Sequence, residues 1–220
     1  MKNLFKPLIA LAIIATAFTS CMDDVDNTDY EAQALANERS LDSLLTTQKL
    51  SIEAYVAAEF TEVPAIRDTA TLHLPRLGKR VNRGMYYQVL VQPTDTTYEY
   101  KFNGSGFVAP TVKLNYWIKT LNNNVVKKDE TGGTYTLNNQ NAGYNLIWMY
   151  SFFPYSVTYN GFELKIDQGL YNFGGLTRKG LKAGTRFRVI TPSSWVQPNN
   201  TSDIPPNQPL VYEFEVLSIQ

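Results

Sequence analysis

The chain has 220 residues, with 20 Lys and Arg against 20 Asp and Glu, one His, one Cys, 14 Tyr and 13% aromatic residues. Balanced charge excludes nucleic-acid or anionic-lipid binding built on net charge, and one cysteine excludes internal disulfide stapling. That aromatic, Tyr-rich composition also excludes a coiled coil or a largely disordered chain, and one β-rich domain with an appendage is expected.

Lys2 and Lys6 precede an apolar stretch from Pro7 to Phe18, about a dozen residues and too short to span a bilayer as a stable helix. Thr19-Ser20 then lead into Cys21. The pattern resembles a lipoprotein signal over residues 1–20, which implies cleavage before Cys21 and lipidation of its thiol by diacylglycerol, with palmitate among the acyl chains. Cleavage would remove Lys2 and Lys6 but no acidic residue, leaving a charge of about −2. Residues 21–27 read as an acidic tether, and Asp23, Asp24, Asp26 and Asp29 form an acidic run. The run resembles the tag of Bacteroidetes-type lipoproteins sent to the outer face of the outer membrane. The expected location is therefore the outer membrane, lipid-anchored, at the cell surface in preference to the periplasmic face.

Residues 28–83 read as a helical segment and a linker. Thr28 and Glu31 have capping-box spacing, and Leu35, Leu41, Leu44, Leu45, Ile52, Tyr55 and Val56 recur at three- and four-residue intervals with no Pro or Gly before Pro64. One long helix, or two joined near Thr46-Thr47, fits this pattern. Packing on a sheet is favoured over dimerisation, and the oligomeric state stays open. Arg76, Lys79, Arg80 and Arg83 read as a solvated basic loop. The lone His73 has no second His or Cys near it, so no metal site, cofactor or His-dependent nucleophile is expected.

From residue 85 onward the chain reads as strand and turn, with strands expected at 85–92, 97–103, 111–121 and 133–137. Residues 144–159 are densely aromatic, within an insertion near 138–168. They read either as a buried extra hairpin or as an exposed platform for a glycan, peptide or partner protein. Near the end, Leu210, Tyr212, Phe214 and Val216 alternate with Glu213 and Glu215 after Pro205-Pro206, the pattern of a half-buried strand.

Ile204-Pro205-Pro206 followed by this strand resembles the closing loop and last strand of FKBP-type peptidyl-prolyl isomerases. Further segments agree in order. Gly84-Met85-Tyr86-Tyr87-Gln88-Val89-Leu90 resembles the opening strand, and Val112-Lys113-Leu114-Asn115-Tyr116 the V-x-V-H-Y strand. Gly174-Gly175-Leu176 to Gly184 resembles the short helix and its exit, and Arg186 to Pro192 the strand that ends in I-P. The resemblance implies an α+β, FKBP-like domain over residues 84–220: a curved antiparallel sheet packed on a short helix, preceded by the N-terminal helical segment.

The resemblance also implies a chemistry. Amide resonance makes X–Pro rotation slow, and an apolar aromatic pocket favours the twisted amide, which has lost its resonance dipole. Such a rotamase uses no nucleophile, metal or cofactor, and its partners would be proline-containing polypeptides. Tyr116, Tyr212 and Ile204 match pocket positions. Tyr135 and Leu137 lie on the strand resembling F-x-L, and Phe173 falls near the pocket-floor tryptophan. The sequence departs from the family in two polar features. The F-D-S-S motif is replaced by Val125-Val126-Lys127-Lys128, unless Asp129 substitutes through a shifted register. The loop tyrosine is replaced by Val196, beside which Trp195 could offer an indole N–H. The expectation is a folding helper with weak rotamase activity or residual proline-peptide binding. The alternative is a non-catalytic surface module using the 144–159 block.

Overall fold

The computed structural model describes residues 27–103, 106–138, 146–165, 174–196 and 205–220. Residues 1–37 and 38–220 form two compact units. In the first, only residues 27–37, the start of helix α1 (Asn27–Glu59), are described. The second holds the rest of α1, the sheet and the candidate site.

With no Gly or Pro to interrupt it, α1 continues through Thr46-Thr47, so the segment is one helix and not two. From residue 38 its inward stripe is Leu41, Leu45, Gln48, Ile52 and Val56; Leu45, Gln48 and Ile52 are buried. The chain then adds β1 (Ile66–Arg67), β2 (Thr71–Leu74), β3 (Lys79–Asn82), β4 (Tyr86–Val91), β5 (Thr111–Thr120) and β6 (Val125–Thr136). After these come α2 (Leu146–Phe152), β7 (Ser156–Tyr159), β8 (Phe162–Lys165), β9 (Arg186–Thr191) and β10 (Leu210–Ile219). Six strands form an antiparallel sheet in the order β1-β4-β9-β10-β5-β6, while β2–β3 and β7–β8 are separate hairpins. The class is α+β, as expected.

The terminal strand β10 lies between β9 and β5 and is buried on both faces near its start, not half-buried. Leu210, Tyr212, Phe214 and Val216 enter one core with Val112, Leu114, Tyr116, Ile118, Phe187 and Val189. On the opposite face, Val211 and Ile190 pack with Ile52 of α1 and with Phe60. Burying each of these side chains contributes about 1.5–3 kcal/mol, which fixes the helix to this face. Glu213 survives in this setting because Arg188 Nε approaches it at 2.9 Å and Lys119 Nζ at 3.2 Å.

Two other expectations change. Residues 97–103 form no strand; Phe102 makes only an isolated bridge to Phe107. The basic stretch is not a solvated loop, because Arg76 pairs with Glu38, Lys79 with Asp42, and Arg83 is buried against Asp68.

The short helix packed on the sheet is α2, within the aromatic block, and not the segment from Gly174 to Gly184. Ile147, Trp148, Tyr150, Ser151 and Phe152 are buried, so this part of the block is neither a hairpin nor an exposed platform. Helix ends leave carbonyls without intrahelical donors, and residues 174–184 supply them here. Leu176 N–H donates to Tyr150 O at 2.7 Å and Leu181 N–H to Phe152 O at 3.1 Å. Gly175 permits the close crossing, since a Cβ there would stand 1.7 Å from Phe153 O. The end of the block, β7, pairs with β8 beyond it, and Tyr155 before β7 and Phe162 at the start of β8 are exposed.

Candidate functional site: an aromatic cluster beside Asp129

Tyr116 on β5 lies opposite Phe214 on β10 and opposite Asp129 on β6. The second pairing depends on a bulge. While β5 advances from Leu114 to Tyr116, β6 runs from Gly133 back to Asp129. The extra residues close into a turn in which Asp129 Oδ1 accepts from Thr131 N at 2.9 Å and Thr131 Oγ1 at 2.7 Å. Bulges re-aim side chains, and this one sets a carboxylate across from the tyrosine.

Asp129 Oδ2 accepts a hydrogen bond from the Tyr135 hydroxyl. Gly133 makes the approach possible: a Cβ there would stand 2.2 Å from Asp129 Oδ2 and 2.7 Å from Tyr135 Oη. The Tyr135 bond, followed by the two from Thr131, holds the Asp129 carboxyl below its ordinary value. Burial first, and then the bond to Asp129, push the Tyr135 phenol well above its ordinary range. Burial and the Asp129 charge raise the Tyr116 phenol as well, partly offset by its hydrogen bond with Tyr135.

Four rings meet here. Tyr116 and Tyr135 are 5.9 Å apart between centroids, and Trp148 of α2 stands 5.3 Å from Tyr116, 5.2 Å from Tyr135 and 5.3 Å from Phe214, all edge-on. Edge-on pairs add about 0.5–1.5 kcal/mol each beyond burial. Tyr116, Trp148 and Phe214 are buried, while Tyr135 is half-buried.

The expected site residues distribute unevenly. Tyr116, Leu137, Tyr212, Trp195 and Val196 belong to one buried core, with Tyr135 packed against it. Tyr116 and Tyr135 touch; Tyr212 has no exposed surface and stacks on Phe214 at 6.1 Å. Around these residues the described chain is a filled core, not an open cleft. Trp195 does not offer its indole N–H outward, since Nε1 donates to Arg83 O at 2.8 Å. Ile204, Phe173 and Cys21 lie outside the described residues.

Three contributors escaped the sequence reading. Trp148 stands edge-on to Tyr116, Tyr135 and Phe214; its signal was an aromatic residue within a seven-residue apolar run. Arg83 reads as one more basic residue, yet Nε and Nη2 bind Asp68 at 2.7 and 3.1 Å and Nη1 donates to Gly174 O at 2.7 Å. Its guanidinium also lies 4.3 Å from the Tyr150 ring centroid. Gln48 is the polar residue in the apolar stripe of α1.

An open groove of about 240 Å³ lies elsewhere, lined by α1, β1, β3 and β4 residues including Leu45, Lys49, Arg67, Arg80 and Tyr86, and by none of the expected site residues. Among the described residues no cluster of His, Cys, Asp and Glu could hold a metal ion, and no helix is long and apolar enough to cross a membrane.

No family model matches the sequence, and no curated protein matches it. Among solved structures, the chain is similar to a peptidyl-prolyl cis-trans isomerase from Pseudomonas syringae, at 13% identity and a TM-score of 0.43, covering 81% of this chain and 95% of that one. It is also similar to the N-terminal domain of FKBP42 from Arabidopsis thaliana, at 15% identity and a TM-score of 0.38, covering 72% and 98%. A third is FkpA from Escherichia coli, at 17% identity and a TM-score of 0.36, covering 98% and 81%. At TM-scores below 0.5 these neighbours carry no functional argument, which rests on the residues.

Proposed function

We propose that this chain is a lipid-anchored extracytoplasmic protein whose FKBP-like domain binds proline-containing polypeptides and catalyses X–Pro rotation weakly. The observation that carries the reading is the meeting of the Tyr116, Tyr135, Trp148 and Phe214 rings, with Asp129 hydrogen-bonded to Tyr135 at their edge. It combines an aromatic wall with a fixed carboxylate. A ring wall favours the twisted amide by excluding water, without a nucleophile.

Weakness follows from two engaged groups. The Trp195 N–H is bound to Arg83, and Tyr212 is covered, so neither reaches a substrate carbonyl without rearrangement. Losing one donor costs about 1–3 kcal/mol, or roughly 10- to 100-fold in rate. The same two observations favour a second reading, a non-catalytic surface binding module.

Isomerisation of a proline tetrapeptide, followed at increasing protein concentration, separates them. A small, concentration-dependent acceleration is expected. A rate equal to the uncatalysed one at the highest concentration rejects the enzyme and leaves the binding module.

A further inference from the structure

Gln48 lies between Leu45 and Ile52 on the inward stripe of α1, where an apolar residue would serve packing better. Its amide is fully used. Nε2 donates to Ser193 Oγ at 2.8 Å and to Asn207 O at 3.0 Å, and Oε1 accepts from Ser193 N–H at 2.8 Å. Ser193 opens the 3-10 turn Ser193–Trp195 after β9, and Asn207 lies in the turn before β10. One helix side chain therefore ties together the two stems of the connection between β9 and β10. Trp195 and Val196 stand on the first stem, both in the core shared with Tyr116 and Tyr212.

The stems leave the sheet at the Thr191–Leu210 pair, and the first is also held by Trp195 Nε1 on Arg83 O. Among the described hydrogen bonds beyond that pair, it is Gln48 that reaches both. Asn207 is in the left-handed region at φ 56°, a conformation that Asn tolerates but that does not fix a neighbour. Pro192 is pressed close on the first stem, since a Cβ on Gly84 would stand 3.0 Å from its Cγ and 3.8 Å from Leu45 Cδ2. Helix, opening strand and loop stem thus meet at one point, and Gln48 is the helix's polar fastening to both stems.

We infer that Gln48 is a positioning residue: it sets the separation of the Ser193 and Asn207 stems and so tunes affinity for proline segments. The affinity half of this inference rests on the proposed function. The helix then acts as part of the site's frame rather than as a spacer from the membrane.

The test uses Gln48→Met, which keeps bulk and removes all three hydrogen bonds, and Gln48→Glu, which keeps the acceptor for Ser193 N–H and removes donation to Asn207 O. Lys49→Ala, an exposed neighbour, is the control. Amide hydrogen exchange at Ser193 and in the turn at Asn207, thermal midpoint, and Kd for a proline tetrapeptide are measured on the same proteins. Gln48→Met should speed exchange at the stems about 10-fold or more and weaken peptide binding about 10-fold, with protection in β5 and β10 retained. Gln48→Glu should keep protection at Ser193 and lose it at the Asn207 turn.

Unchanged stem exchange in Gln48→Met overturns the inference, and so does loss of protection spread evenly over the sheet. If the wild type binds no proline peptide, the proposed function fails instead, and stem exchange alone decides whether Gln48 positions the loop.

Discussion

Trp195 Nε1 donates to the carbonyl oxygen of Arg83 at 2.8 Å, joining two residues 112 positions apart in a buried setting. The bond fastens the turn after β9 to the end of the β2–β3 segment, and it turns an expected substrate donor into a structural one. Trp195→Phe keeps most of the ring and removes the donor, leaving a buried carbonyl without its partner. The expected loss is about 1–3 kcal/mol in stability, read as a lower urea midpoint with an unchanged slope. An unchanged midpoint would show that the indole N–H is not needed there.

Arg83 itself carries a larger share. Its guanidinium faces Asp68, Gly174 O and the Tyr150 ring at once, with both partners of the ion pair buried. Arg83→Met removes the cation and leaves Asp68 buried without it, which typically costs about 3–5 kcal/mol. Lys128→Ala, which breaks the exposed pair with Glu130, should leave the midpoint nearly unchanged because solvent screens that pair. Equal midpoint shifts for the two variants would contradict the buried network.

The carboxylate at the site predicts a pH signature. Tyr135 donates to Asp129, and its bond is the largest cause of the lowered Asp129 pKa. A depressed folded-state pKa stabilises the protein above the ordinary value of 3.8, and that contribution is lost as pH falls through the folded-state pKa. In Tyr135→Phe, the Asp129 midpoint followed by carboxyl NMR should rise toward 3.8, and the acid limb of stability should start at higher pH. A midpoint that does not move would mean that Thr131 alone holds the carboxylate.

Anchoring is predicted to depend on Cys21. Acyl chains contribute about 0.8 kcal/mol per buried CH₂, and two or more give stable membrane retention. Cys21→Ser should therefore appear in the soluble fraction. Retention with outer membranes after a high-salt wash would contradict the lipid anchor.

The strands were legible where alternation was strong: 85–92, 111–121 and the terminal run from Leu210 all fall on observed strands. Helix α1 was legible from its spacing and its lack of Gly and Pro. What stayed hidden was long-range. Nothing local in Val211 or Glu213 signals that a helix covers their face, because that depends on Ile52 and Phe60 arriving from elsewhere. The bulge that sets Asp129 opposite Tyr116 is a matter of pairing between strands, which side-chain alternation within one strand does not encode. Gly174 to Gly184 looked helical by family resemblance, yet its backbone donors serve the end of α2 instead. Trp148 was hidden by its surroundings: in a run apolar on every side, periodicity does not say which ring faces the sheet.

The central claim is that the half-buried Tyr135, edge-on to Tyr116 and Trp148, receives a proline segment. The direct measurement is an NMR titration of the wild type with a proline tetrapeptide, repeated with Tyr135→Ala. Saturable shifts clustered on Tyr135, Met149 and the Trp148 indole, with affinity reduced about 10-fold or more in the variant, are the predicted result. Shifts confined to Tyr155 and Phe162 beside the β7–β8 hairpin, or none at saturating peptide, would contradict it.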